Sequence, residues 1–335
     1  MSGPLAAQVA VIMRTKDRPV LLKRAVDDVL RQNLQDWHLV IVNDGGAPDP
    51  VDSLIAANSG RFRDRVTILH HHESRGMEAA SNAGIAASAS SYVAIHDDDD
   101  SWHPDFLART VSYLETSPDA GVGVRTEIVH ERIEDDRVIE TGRAPFSPEI
   151  RELMLSDALR YNRCVPIGLL YRRKLHTEVG GYDETLGAVG DWEFQLRVLQ
   201  HHTLGFIDGE PLAFWHHRHD AQGPSGNSFL AGKNDHLYFD KYVRERHLHE
   251  YAAAHGLGAL LYLAGAGKEQ TDQLHHRLNY SDELLRDLQS RSDRIEESLR
   301  HLEAAVSDAS LVSLLRRRYR RLKDRVRERR GDDPR

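Results

Sequence analysis

The sequence predicts an α/β fold, a mainly parallel sheet with helices on both faces, followed by a helical coiled-coil extension. Three observations carry this. The first hundred residues alternate short apolar runs with segments of helical periodicity. The apolar runs are near-continuous rather than alternating, as in strands covered on both faces. Beyond about residue 268 the hydrophobic period changes to seven.

In order, residues 8–13 read as a first strand. Residues 19–33 read as a helix, with Pro19 at its start and Leu22, Ala25, Val26, Val29 and Leu30 at helical spacing. Residues 38–42 form a second strand, ending at Asn43-Asp44-Gly45-Gly46, and 66–69 a third. An Ala-rich helix spans 76–89, and a fourth strand spans 92–95. Further on, 104–115 is helical, 122–129 a strand, and 133–148 a polar loop or hairpin. Residues 169–172 are strand-like and 191–199 helical.

In the C-terminal segment Leu274, Ser281, Leu288, Ile295, Leu302 and Ala309 recur every seven residues. Leu278, Leu285, Ser292, Leu299 and Val306 do so at an offset of four. This is a coiled-coil seam of about five heptads, which implies self-association as a homo-oligomer. Residues 316–330 then carry ten Lys/Arg against two acids, +8 within a chain whose net charge is −8. With Leu311, Val312, Leu314 and Leu315 beside them, these arginines suggest a helix on an anionic membrane surface. No nucleic-acid recognition fold accompanies the patch, so nucleic acid is not the expected partner. The expected domains are 1–240, a connector 241–267, the coiled coil 268–310 and a basic tail 311–335.

The lone Cys164 fits a reducing compartment, and its apolar neighbours read as core. The N-terminus does not read as a signal peptide. The longest mostly apolar uncharged stretch, 256–267, is shorter than the roughly 20 residues of a transmembrane helix. The expected location is cytoplasmic, peripheral at the inner face of the plasma membrane.

Four consecutive aspartates, Asp97 to Asp100, follow the fourth strand. Carboxylates this close repel one another and call for a cation, and oxygen-only ligands suit Mg²⁺ or Mn²⁺ bridging to a diphosphate. The segment 13–19, the turn at Asp44, the segment 71–76 and the aspartates all follow strands. In a parallel sheet they gather at one edge, where such sheets bind ligands.

The phrases 13–19 (MRTKDRP), 42–46 (VNDGG), 76–84 (GMEAASNAG), 97–104 (DDDDSWHP) and 190–193 (GDWE) resemble family 2 glycosyltransferases in content, order and spacing. The resemblance covers about residues 8–220. It implies the GT-A fold, a nucleotide-diphospho-sugar donor and an inverting mechanism. It assigns Thr15, Arg18, Asp44, Asn82, Asp97 and Asp98 to the donor, with Asp99 on the metal and Asp100 supporting the loop. His219 is expected as a second metal ligand, with His217 next. Asp191 is the implied catalytic base, with Trp192 and Glu193 on the acceptor side. Two departures stand out. Many relatives carry Arg where this chain has Ser81, and an acid usually precedes the base where this chain has Gly190. The acceptor implied is a glycan, lipid-linked as in bacterial surface polymers. Competing readings are a sugar-nucleotide nucleotidyltransferase, disfavoured because residues 15–19 lack Gly, and a non-catalytic coiled-coil scaffold.

Overall fold

A computed structural model describes residues 7–134, 137–218 and 233–330. The described chain divides into two compact units, 1–248 and 249–335.

The first unit is built on a seven-stranded sheet. Its strands are β1 (Val9–Thr15), β2 (Trp37–Asp44), β3 (Val66–His71), β4 (Tyr92–Asp97), β6 (Gly121–Val124), β9 (Leu169–Arg172) and β10 (Leu204–Ile207), in the order β10-β6-β9-β4-β1-β2-β3. The pairs β3–β2, β2–β1, β1–β4 and β6–β10 are parallel, and only β9 runs against its neighbours. A second sheet pairs β5 (Ser101–Trp102), β11 (Ala213–His217), β7 (Thr126–Glu134) and β8 (Arg137–Pro145), in the order β5-β11-β7-β8.

The strands alternate between two cores. Val9, Val11, Met13, Leu39 and Ile41 face one side, against Leu22, Ala25, Val26 and Val29 of α1 (Pro19–Leu30) and Val51 and Ile55 of α2 (Pro48–Ala57). Ala10, Ile12, Val40 and Val42 face the other. There they meet Ala80 and Ile85 of α4 (Met77–Ala86) and Phe194 and Val198 of α8 (Gly190–His201). Between α2 and α4 lies the single-turn α3 (Ser59–Phe62). The period of two along each strand thus accounts for helices on both faces. The helix α4 comes unusually close to the sheet, for a Cβ on Gly84 would stand 2.6 Å from Ile12 Cγ2 and 3.1 Å from Val42 Cγ2.

One stretch differs from expectation. The run 122–129 is not one strand but two in different sheets, β6 and β7, parted at Arg125. The buried Arg125 side chain donates to Asp208 and to the carbonyls of Ser147 and Ile150. An unbroken apolar run does not reveal a change of partner sheet. The segment 133–148 is the hairpin alternative, with β8 antiparallel to β7.

In the second unit, helix Gly258–Ala309 runs for 52 residues and helix Leu311–Arg330 for 20. A helix Lys233–His255 leads into it, and Gly256 at φ +76° ends that helix in the left-handed conformation glycine tolerates. The apolar seam residues of the long helix, Leu274 through Val306, are 53–69% exposed. Among the described residues no helix is long and apolar enough to cross a membrane.

Candidate active site

The chain order places β2 and β4 on opposite sides of β1, so the crevice beyond the carboxyl ends of β1 and β4 is the sheet's switch point. Thr15 and Asp97 end these two strands. Here the four aspartates meet arginines. Arg14 of β1 holds Asp97 through its Nε and Nη2, at 2.5–2.8 Å. Asp98 Oδ2 accepts from Thr15 Oγ1 at 2.7 Å, and its Oδ1 accepts from Arg18 at 3.2 Å. Asp99 Oδ2 accepts from Arg18 at 3.4 Å and more closely from Arg218. Asp100 accepts from the backbone N–H of His216 at 2.9 Å. Burial and the charge of Asp99 nevertheless push the carboxyls of Asp98 and Asp100 above the ordinary carboxylate range.

A second acid anchors Arg218 and, with it, Arg24 and His216. Glu131 of β7, on the second sheet, accepts from Arg24 of α1 at 2.8 Å, from His216 Nδ1 at 2.7 Å and from Arg218. Burial alone would raise its carboxyl, but hydrogen bonds from His216 and Arg24 outweigh that and hold it down at about 2. Arg218 is 1% exposed and spans Glu131 and Asp99, so it ties the second sheet to the aspartate loop. A third buried acid, Asp28 of α1, accepts from the Trp102 backbone N–H at 2.6 Å and pairs with His96 at 3.2 Å. It fixes the chain on both sides of the aspartates. Arg14, Arg24, Glu131, His216 and Arg218 had no assigned role in the sequence, where they are separated by up to two hundred residues. The only cue is charge within segments that otherwise read as buried, in strands for Arg14, Glu131 and His216 and on a helix for Arg24.

The other expected donor residues serve loops. Asp44 accepts from Ser74 Oγ at 2.7 Å, from the backbone N–H groups of Arg75 and Gly76 at 2.9 and 3.0 Å, and from His71 at 2.7 Å. Burial opposes ionisation there, yet the Arg75 N–H and the other donors hold its carboxyl below the ordinary range. Asn82 clamps the loop before α8, donating to Tyr182 O and Glu184 and accepting from Tyr182 N.

That loop delivers the expected base. Val189 sits at φ +60°, strained for a β-branched residue, and begins α8 with no side-chain cap. Asp191, on the first turn, accepts from Asn162 at 2.7 Å. Burial pushes its carboxyl up, against the Asn162 hydrogen bond. Arg14 lies within electrostatic reach of Asp97 and Asp191, so the two expected ends of the site meet around one guanidinium. Trp192 and Glu193 turn inward. The Trp192 indole donates to Ala158 O, and Glu193, 1% exposed, is held by Arg197 and Arg246. Their first turn of helix carries successive side chains to different faces, and only Asp191 is left half-exposed.

His219 lies outside the described residues. His217 is buried, its ring edge-on to Trp215 at 4.2 Å. Among the described residues no three His, Cys, Asp or Glu side chains converge to hold a metal. The carboxylate oxygens of the aspartate loop are of the kind Mg²⁺ or Mn²⁺ takes, although Asp99 Oδ2 is here shared by Arg18 and Arg218. These ions commonly take one or two protein carboxylates and complete their shell with water and substrate phosphates.

The pattern "Glycosyl transferase family 2" matches residues 10–180, just over half of the chain and the whole span from β1 through β9. The chain is a family 2 glycosyltransferase. Among its relatives is "Uncharacterized glycosyltransferase YwdF" of Bacillus subtilis, 24% identical over 76% of this chain and 86% of that protein. Another is "Succinoglycan biosynthesis protein ExoW" of Rhizobium meliloti, 27% identical over 63% of this chain and 72% of that protein. In solved structures, S. aureus TarS 1-349 in complex with UDP-GlcNAc aligns with a TM-score of 0.51 at 12% identity. That alignment covers 66% of this chain and 61% of that one, and shows a shared GT-A fold. As a member of this family the chain is an enzyme that uses a nucleotide-sugar donor.

Proposed function

We propose that the enzyme moves a sugar, with inversion, from a nucleotide-diphospho-sugar to a hydroxyl of a glycan acceptor. The observation that carries this is the arrangement around Arg14, which binds Asp97 and also faces Asp191. Arg14, Arg18 and Thr15 hold the aspartate loop ready for the donor's sugar and diphosphate. Asp99, with the donor's own phosphates, would hold the divalent cation. Mg²⁺ or Mn²⁺ there supplies charge neutralisation on the departing diphosphate. Asp191 accepts the proton of the acceptor hydroxyl as that oxygen bonds to the anomeric carbon. The bond from that carbon to the diphosphate breaks on the opposite face, and the nucleoside diphosphate leaves. Burial holds the Asp191 carboxyl above the ordinary aspartate range, which makes it a better base than an unperturbed aspartate.

The acceptor we propose is a bacterial surface glycan, lipid-linked. Its support is the naming of relatives for succinoglycan and, in Escherichia coli, putatively for colanic acid biosynthesis. The arginine-rich helix Leu311–Arg330 would keep the enzyme at an anionic membrane surface, on its cytoplasmic side. The exposed seam of helix Gly258–Ala309 would pair with a second copy.

The test incubates full-length protein with UDP-, GDP- and dTDP-sugars, with Mn²⁺ or with EDTA. Calorimetry follows binding and NMR follows the anomeric configuration of any product. Turnover in Mn²⁺ that EDTA abolishes, with inversion, is expected. Retained configuration or full activity in EDTA would overturn the mechanism. Since one carboxylate provides little of the cation's shell, Mn²⁺ alone is expected to bind far more weakly than Mn²⁺ with a nucleoside diphosphate.

A further inference from the structure

Glu78 on the first turn of α4 is a buried acid that the mechanism above does not use. It is 5% exposed, and its Oε2 has no hydrogen-bond partner among the described residues. Its Oε1 occupies the space in front of Gly190, where a Cβ would stand only 2.3 Å away. The residue immediately before Asp191 is therefore a glycine against which a carboxyl from another helix is seated. The charged and titratable groups around Glu78 are Arg14, Asp191, Asp97 and Tyr182. Three of these already define the site.

A buried carboxyl oxygen without a partner is costly, and a structural role at a helix N-terminus would not require desolvating it. Resting on the glycosyl-transfer reading, we propose that Glu78 is a further substrate-binding residue, whose unpartnered oxygen takes a sugar hydroxyl beside Asp191, and that residue 190 is glycine to admit it. The acid that sits next to the base thus comes from α4 and not from the base's own loop. Desolvation, against the pull of Arg14, raises the Glu78 carboxyl to about 7. Near neutrality it can therefore either donate to or accept from a hydroxyl.

The proposal separates function from stability. An acid raised from 4.5 to about 7 by folding weakens the fold as pH climbs through that interval. Glu78→Gln should therefore melt higher than wild type at pH 8, with a margin that shrinks towards pH 5. For whichever donor the wild type uses, Glu78→Gln should lower kcat/KM by about tenfold or more, as expected for a lost hydrogen bond to a charged group. Gly190→Ala, whose Cβ displaces the Glu78 carboxyl, should lose activity similarly while remaining folded. Wild-type kcat/KM in either variant overturns the proposal and leaves glycosyl transfer standing. A Glu78→Gln protein that melts lower than wild type at pH 8 overturns it without any substrate, by making the carboxylate a structural anchor. Absence of turnover with every donor in wild type would instead sink the transfer reading. The melting comparison, and the extra thermal shift of UDP-N-acetylglucosamine over UDP in wild type against Glu78→Gln, would still decide the role of Glu78.

Discussion

Replacing Glu131 with glutamine tests whether buried ion pairs, rather than packing alone, fix the aspartate loop. The substitution keeps the shape and removes the charge that Arg24, Arg218 and His216 share. Folding lowers this carboxyl from 4.5 to about 2, which corresponds to roughly 3 kcal/mol of stability near neutral pH. Breaking a buried pair by removing one partner independently costs about 3–5 kcal/mol. For a unit of this size, each kcal/mol lowers Tm by about 2–4 °C, so a fall of about 6–12 °C is expected. The sign with pH is fixed. The contribution is complete above pH 4.5 and is lost as pH falls towards 2, with about half remaining at pH 3. Calorimetry of wild type and Glu131→Gln between pH 7 and pH 3 measures the difference. A fall under 2 °C at pH 7, or a difference that does not shrink on acidification, would refute the reasoning.

Asp191→Asn should leave donor binding intact and reduce kcat by about 10²–10⁴. In wild type, the acid limb of the kcat/KM profile should lie above the ordinary aspartate value of 3.8, because burial raises this carboxyl; a limb below it would count against Asp191 as the base. Deleting residues 268–335 should convert an oligomer to a monomer in sedimentation and abolish binding to anionic vesicles. A full-length monomer at micromolar concentration, or unchanged vesicle binding, would remove the role given to that segment.

The sheet was legible because its strands bury on both faces and so stand out as apolar runs, as at 38–42 and 92–95. The acids at their ends were legible because four adjacent carboxylates are rare without a purpose. What compensates them was not. Arg218 reaches both Glu131 and Asp99 only because β7 and β11 lie side by side in a second sheet, a pairing between residues far apart in the chain. The same limit hid the split at Arg125 and the seat of Glu78 against Gly190. Local periodicity reports which face a residue turns, not which distant element it turns towards. Asp191 and Glu193 illustrate the reverse case. Acids two residues apart on one helical turn had to diverge, and the structure sends Glu193 to Arg197 and Arg246.

The close approach of α4 to the sheet at Gly84 gives one apolar contact control over several polar ones. Helix α4 carries Glu78, Ser81 and Asn82 as a rigid bar, and Gly84 is the point at which that bar rests on Ile12 and Val42. A single methyl group there would act as a shim. With its nearest neighbour only 2.6 Å away, it would push the helix off the sheet and carry all three side chains with it, together with the loop that Asn82 clamps and Asp191 follows. The alignment of the two halves of the site thus depends on a buried, uncharged residue packed against hydrocarbon.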